Sequence, residues 1–291
     1  MKPLCLPAPA KVNLFLHITG QREDGYHELQ TLFQFLNLAD ELSLTLRDDG
    51  QILLENQLDQ VAQEDNLIWQ AAQLLKPFRK NSTQGVSLKV KKILPMGGGL
   101  GAGSSNAATT ILGLNHLWEL NLSLYQLAEL GLQLGADVPV FVRGKTAWGE
   151  GIGEKLQPIK VARSDYLLIH PGCHCNTKAF FMHPRLPRAT PKISIETALD
   201  QLGSNDFTEL AKELYPPINA CFDWLKKRGL QPWLTGTGAC VFARLQSDGQ
   251  GKQLLKELPA SWGGKRTQAW VVSSNPRSPV HRLLEEDARS R

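Results

Sequence analysis

Residues 94–108 read Leu-Pro-Met-Gly-Gly-Gly-Leu-Gly-Ala-Gly-Ser-Ser-Asn-Ala-Ala, with Gly97, Gly98, Gly99, Gly101 and Gly103 inside seven positions. Ordering a glycine costs about 0.5–1 kcal/mol more than ordering alanine, so a plain turn would not carry this many. Glycines at this density let the backbone take positive φ and approach a ligand closely. The residues that follow, Ala107, Ala108, Ile111, Leu112, Leu114 and Trp118, recur at helical spacing, with Ser104 or Ser105 placed to cap the helix. A loop of free N–H groups running into a helix N-terminus is an anion site, because the orphan donors and the positive end of the dipole point the same way. The stretch therefore reads as a phosphate loop.

Local templates narrow its kind. A Walker A loop ends in Gly-Lys-Ser/Thr; no lysine follows here, and the one Gly-Lys-Thr, at Gly144, has Pro139 where its first glycine should stand. A dinucleotide fingerprint fits in relaxed form as Gly97-x-Gly99-x-x-Ala102, after a candidate strand at 86–90. The acidic residue that should close the next strand is Glu119, which falls at the end of a helical run instead.

The whole pattern resembles the central motif of the GHMP kinases (galacto-, homoserine, mevalonate and phosphomevalonate kinases and their relatives). Pro9-Ala-Lys-Val-Asn-Leu-Phe-Leu16 is similar to the family's first motif, and Leu234-Thr-Gly-Thr-Gly-Ala-Cys-Val-Phe242 to its third. Within the family, Thr19-Gly-Gln-Arg-Glu-Asp-Gly-Tyr-His27, Gly135-Ala-Asp-Val-Pro-Val-Phe141 and Gly149-Glu-Gly-Ile-Gly-Glu154 look most like the member acting on a cytidine-diphosphate-linked alcohol of isoprenoid precursor synthesis. The likeness runs from about residue 7 to residue 281.

Composition sets outer limits. At 42% hydrophobic and 21% charged, the 291 residues read as a globular chain with ample core. No apolar run reaches the roughly eighteen residues a spanning helix needs, and no charged-then-apolar leader precedes the first motif; a cytoplasmic enzyme is the expectation. A net charge of +4 is too mild for a nucleic-acid partner, and the runs 89–92 and 226–228 read as solvated basic faces. Five scattered cysteines suggest reduced thiols. Cys173-His-Cys175 is too tightly spaced for a zinc site without a second ligand pair.

Along the chain, Val12, Leu14, Leu16 and Ile18 alternate with Lys11, Asn13, Phe15 and His17, which predicts a strand with one buried face and puts Lys11 beside Asn13. Alone, Lys11 would be an ordinary edge-strand lysine. Residues 20–27 form a polar turn carrying Tyr26 and His27. Residues 66–78 predict an amphipathic helix headed by Asn66, residues 123–134 a second one with a Ser123…Gln126 capping box, and 194–202, 207–214 and 217–227 three more. Further strands are expected at 42–46, 166–170, on either side of the 235–238 turn, and at 268–272. On local grounds Asp137 would cap a turn, and the charged tail from Arg282 onward would fray.

The resemblance adds roles. It implies an α+β, two-domain fold (residues 1–155 and 156–291) with the active site in the cleft between domains, and an ATP-dependent kinase that uses Mg²⁺. ATP would be held by Asn66 and by Pro95, Met96, Gly97, Gly98, Gly99, Leu100, Gly101, Ala102, Gly103, Ser104 and Ser105. Asp137 would be the general base, and Lys11 would stabilise charge on the transferring phosphoryl group. Asn13, Tyr26, His27, Phe33, Thr177, Phe181, Thr235, Gly236, Thr237 and Gly238 would contact the alcohol substrate; Tyr26, His27 and Phe33 would form a cytosine pocket, and the stacking ring would be Phe181, the better match, or its neighbour Phe180. No protein metal ligand is evident, apart from a contribution by Ser104 or Ser105. The expected partners are the small molecules alone, with no nucleic acid or membrane, in a monomer or weak homodimer. Competing readings are a mevalonate- or homoserine-type kinase, a nicotinamide oxidoreductase, and a nucleotide-binding protein without catalysis.

Overall fold

A computed structural model describes residues 2–56, 61–263 and 265–290. Two long strands, β1 (Leu4–Gln21) and β2 (His27–Arg47), form an antiparallel ribbon that the other elements build on. They are followed by β3 (Ile52–Leu54), β4 (Gly85–Lys91), β5 (Ala147–Gly151), β6 (Lys155–Pro158), β7 (Asp165–His170), β8 (Pro232–Leu234), β9 (Val241–Arg244) and β10 (Gln268–Asn275). Hydrogen bonds join them in the order β3-β4-β2-β10-β7-β9-β8, with β1 and β5 also on β2 and β6 on β5. β3 and β4 run parallel, whereas the pairs made by β2 and β7 are antiparallel. A short contact, Ser274 and Asn275 against Leu36 and Phe35, carries the sheet from one half of the molecule to the other.

Helices α1 (Leu67–Leu75), α2 (Ala102–Leu117), α3 (Leu124–Leu132) and α4 (Val138–Arg143) cover the first half. Their apolar faces pack on β2 and β4 in a core that includes Phe35, Leu42, Leu88, Ile111 and Trp118. The second half carries α5 (Thr177–Met182), α6 (Ile195–Asp200), α7 (Thr208–Leu214), α8 (Pro216–Lys226) and α9 (Asp248–Glu257). Phe180, Phe207, Phe222 and Leu225 bury there against β7 and β9. Between the two lies a third cluster in which Val12, Leu14, Phe15 and Leu32 of the ribbon meet Leu168, Trp233 and Phe242.

Three expectations need correction. The first strand does not have one buried face: residues 8–18 are buried throughout, Phe15 completely. Ala10, Val12, Leu14 and Phe15 pack in the third cluster and Leu16 and Ile18 in the second, while Lys11, Asn13 and His17 on the other face are covered through polar contacts with Gly99, Thr235 and Ser204. Register shifts between Pro9 and Lys11 and between Asn13 and Phe15 interrupt the pairing with β2. The charged tail is helical, not frayed. α10 (Pro279–Ser290) returns to the first half, burying Val280 with Leu283 and Leu284 against its core and pairing Asp287 with His116 at 2.7 Å; Arg291 lies outside the described residues. Finally, no serine caps α2. The helix begins at Ala102 after Gly101 at φ 68°, with no side-chain cap, so Ser104 and Ser105 sit inside its first turn.

Candidate active site

The glycine loop is shaped by what it touches. At Gly99, with φ +72°, a Cβ would lie 2.2 Å from the Thr235 carbonyl oxygen; at Gly97, with φ +67°, it would lie 2.1 Å from Nδ1 of His174. At Gly101 it would meet the Phe141 ring at 2.8 Å and the Lys11 side chain at 3.2 Å. Backbone bonds from Ala239 and Cys240 to the Gly97 and Gly98 carbonyls, both 3.2 Å, hold the loop against the 235–240 turn. Thr235 completes the join: its Oγ1 accepts from the Asn13 N–H at 3.1 Å and donates to the Gly99 carbonyl at 3.2 Å. Three segments far apart in sequence thus meet at one point.

Lys11 stands there, 3% exposed. A buried ammonium survives only with its three N–H groups satisfied. Nζ donates to Asn13 Oδ1 at 2.8 Å and to the Gly99 carbonyl at 3.2 Å, and lies 3.2 Å from Asp137 Oδ2. The Phe33 ring is 5.6 Å below it. Asn13 is oriented in turn by donating to Thr31 Oγ1 at 2.8 Å. Asp137 precedes α4 but makes no side-chain capping bond, so the local expectation of a cap fails and its carboxylate is committed to Lys11. One face of that carboxylate stays open, at 33% side-chain exposure.

Three adjoining cavities meet here, and the pair lines the middle one. The first, about 340 Å³, is walled by residues 95–104 with Asp65, Asn66, Leu67 and Lys92. The uncapped start of α2 faces it with free first-turn donors. Asn66 Oδ1 caps α1 by accepting from the Ile68 N–H at 2.9 Å, while its Nδ2 is buried without a partner. The middle cavity, about 300 Å³, shares Gly99, Gly101 and Ser104 with the first and adds Lys11, Asn13, Phe33, Asp137, Thr177, Phe181, Gly236 and Thr237. The third, about 680 Å³, shares Leu29, Ala136, Ile152 and Phe181 with the middle one and adds Tyr26, His27, Lys178 and Arg188.

Most of the expected site residues are therefore brought together, and some are not. Ser105, Thr235 and Gly238 stand behind the cavity walls; Ser105 and Thr235 are fully buried. Phe33 lines the middle cavity beside Lys11, not the third beside Tyr26 and His27. Phe180 is core, stacked on Tyr215, whereas the Phe181 ring sits 4.8 Å from His27. Tyr26 is 58% exposed at the rim and His27 is 7% exposed. Burial, and then the Arg188 charge, push the His27 imidazole below its ordinary value.

Sequence reading missed Lys92. It ends the basic run 89–92, which local sequence reads as a solvated face, yet it is half-buried, lines the first cavity and pairs with the fully buried Asp40. Asp40 also accepts from the Ile93 and Leu94 N–H groups at 2.7 and 2.8 Å, which fixes the entry to the glycine loop. Arg188 and Lys178 had no local signal.

Residues 66–145 match the family model for the GHMP kinases N terminal domain and residues 190–264 that for the GHMP kinases C terminal. The chain is 49% identical over 281 residues to the 4-diphosphocytidyl-2-C-methyl-D-erythritol kinase of Marinomonas sp. (strain MWYL1), covering 97% of this chain and 90% of that one. A crystal structure of 4-(cytidine 5'-diphospho)-2C-methyl-D-erythritol kinase superposes with a TM-score of 0.77 at 29% identity, over 94% of this chain and 100% of the other. A mevalonate kinase shares the fold at a TM-score of 0.67 and 16% identity, over 93% and 99% of the two chains. With the three motifs joined at Lys11 and a relative this similar along nearly its whole length, the chain belongs to the GHMP kinase family.

Proposed function

We propose that this chain is the kinase that transfers the γ-phosphoryl group of ATP to the 2-hydroxyl of 4-diphosphocytidyl-2-C-methyl-D-erythritol, giving the 2-phosphate and ADP. The observation that carries the reading is the Lys11–Asp137 pair, set between a glycine-loop cavity and an aromatic one. The 49% identical relative bears the name of that activity. Phosphoryl transfer asks for alignment and charge stabilisation more than for covalent chemistry by the protein.

The first cavity fits a nucleoside triphosphate. The unpaired Asn66 Nδ2 offers a buried donor to the base end, and the N–H groups of the loop and of the α2 start suit the phosphates. Among the described residues no group of three or more His, Cys, Asp or Glu could hold a metal. Mg²⁺ would enter on the phosphates of ATP, with the Ser104 hydroxyl at the junction of the two cavities as the side chain to meet it. ATP supplies the phosphoryl group, and Mg²⁺ offsets the charge on its oxygens.

In the middle cavity the open face of Asp137 accepts the proton of the substrate hydroxyl. Lys11, fixed by Asn13 and Gly99, stabilises negative charge as it develops on the transferring group. Gly236 and Thr237, with Thr177, line the path toward the third cavity; the Thr177 and Thr237 hydroxyls are hydrogen-bonded at 2.9 Å. Tyr26, His27 and Phe181 offer flat ring surface to a cytosine, and His27 Nε2 is buried there without a partner in the chain. The test is ³¹P NMR of the product made with Mg-ATP. A new phosphomonoester coupled to the 2-position of the methylerythritol supports the assignment, and one on any other hydroxyl contradicts it.

A further inference from the structure

A cation is built into the turn after α5, and the reaction just described leaves it unused. α5 has six residues, and the last carbonyls of a helix lack intrahelical donors. Arg188 supplies them. Its Nη2 donates to the carbonyls of Phe181 and His183, each at 2.9 Å, and its Nη1 to that of Leu186 at 3.3 Å. Two residues further on, the Thr190 N–H bonds the Ile18 carbonyl at 3.0 Å, and its hydroxyl donates to Asp206 Oδ2 at 2.8 Å. That same oxygen accepts from the Ile18 N–H at 2.7 Å. One guanidinium thus links the backbone of Phe181 to a segment tied to the end of β1.

The rigidity this gives is aimed at the third cavity. The Phe181 ring is held edge-on by Phe207 at 5.1 Å and lies 4.8 Å from the His27 ring. Arg188 lines the cavity as well, with Asp24 and Lys178 as the other charged groups there. A lysine could not reproduce the arrangement, because its ammonium is a point donor where the planar fork of arginine reaches several acceptors at once.

We propose that Arg188 is a positioning residue for the base end of the substrate: by gripping the Phe181 and His183 carbonyls it fixes the Phe181 ring against His27, forming the wall on which a planar base stacks. This rests on reading the third cavity as the cytosine site. The charge has a second effect at the same place, since after burial it is the further cause that disfavours a proton on His27. In a neutral ring one of the two nitrogens is an acceptor, a role that the doubly protonated ring lacks.

The test compares Arg188→Met and Arg188→Lys with the parent chain, alone and combined with Phe181→Ala. CDP binding is read by calorimetry, and KM for each substrate and kcat by ADP release. Arg188→Met is expected to weaken CDP binding and raise KM for the cytidine substrate by about tenfold, as loss of charge-assisted hydrogen bonds would. Arg188→Lys should fall between. The KM for ATP should stay unchanged and kcat within about threefold, the split a positioning role gives. In the Phe181→Ala background Arg188→Met should cost less than about twofold more, because both changes remove one interaction. Unaltered CDP binding, fully additive losses, or equal weakening of ATP and CDP would overturn the inference. If Arg188→Met does not fold, Arg188→Lys with the same cycle decides. A parent chain that neither binds CDP nor turns over the cytidine substrate overturns the proposed function and this inference together.

Discussion

A lysine at 3% exposure and an aspartate held 3.2 Å away are an expensive arrangement for a protein that needs only a fold. Their position at the junction of three motifs gives that cost a use. Asp137→Asn and Lys11→Ala are each expected to lower kcat by about 10²-fold or more, the scale of general-base and electrostatic contributions. Steady-state rates on variants with parent-like circular dichroism check this, and near-parent turnover would sink the assignment. Gly99→Ala carries a different expectation. Its Cβ would collide with the Thr235 backbone at a left-handed φ, so the loop must leave the 235–240 turn. We expect a lower Tm together with loss of ATP binding, and an unchanged Tm would contradict the packing described. At this scale the sequence was most legible where periodicity acts: period two put Lys11 and Asn13 on one face, and their 2.8 Å bond follows. It was illegible where a role is set by a distant partner. Lys92 belongs to the site because Asp40 and the first cavity hold it, and nothing in its own neighbours says so.

Among elements, α1 joins stability and binding in a single side chain that can be separated by chemistry. Asn66 caps the helix through Oδ1 and leaves Nδ2 unpaired at the edge of the first cavity. Asp is as good an N-cap as Asn but lacks the amide donor. Asn66→Asp should therefore keep the parent Tm within a few degrees while raising KM for ATP, whereas Asn66→Ala should lower stability by about 1 kcal/mol as well. Thermal melts and ATP titrations separate the two effects; a parent-like KM in Asn66→Asp would remove Nδ2 from the binding account. Helices with strong local signals were readable in advance, as with the Ser123 capping box of α3, which is present in full. α5 was not. It is under two turns long and carries adjacent phenylalanines, and only the packing of Phe180 onto Tyr215 decides which ring faces the cavity. β1 shows the same limit: alternation suggests one buried face, and the other is buried as well, because the glycine loop, the 235–240 turn and Ser204 cover Lys11, Asn13 and His17.

At the scale of the whole molecule, burial sets how stability responds to pH. Burial pushes His17, His27, His170 and His281 below the ordinary histidine value. In the unfolded chain each takes up a proton near pH 6.5, so below that pH the unfolded state binds more protons than the native one. Stability should accordingly fall as pH drops through about 6.5 and level off above it. Melts between about pH 7.5 and 5.5 check the sign, and a Tm that rises toward acid would contradict it. The joining of the halves was the least legible feature, because the contact of β10 with β2 and the return of α10 depend on segments at opposite ends of the chain. No helix among the described residues is long and apolar enough to cross a membrane. The three adjoining cavities are what the fold finally supplies, and the aromatic one beside Asp137 bears on which alcohol is accepted. The most direct measurement is ADP release with Mg-ATP and 4-diphosphocytidyl-2-C-methyl-D-erythritol, with mevalonate and homoserine run in parallel. Turnover with the cytidine substrate and none with the other two alcohols is expected. Turnover with mevalonate or homoserine instead, or ATP binding without turnover of any of the three, would contradict the account.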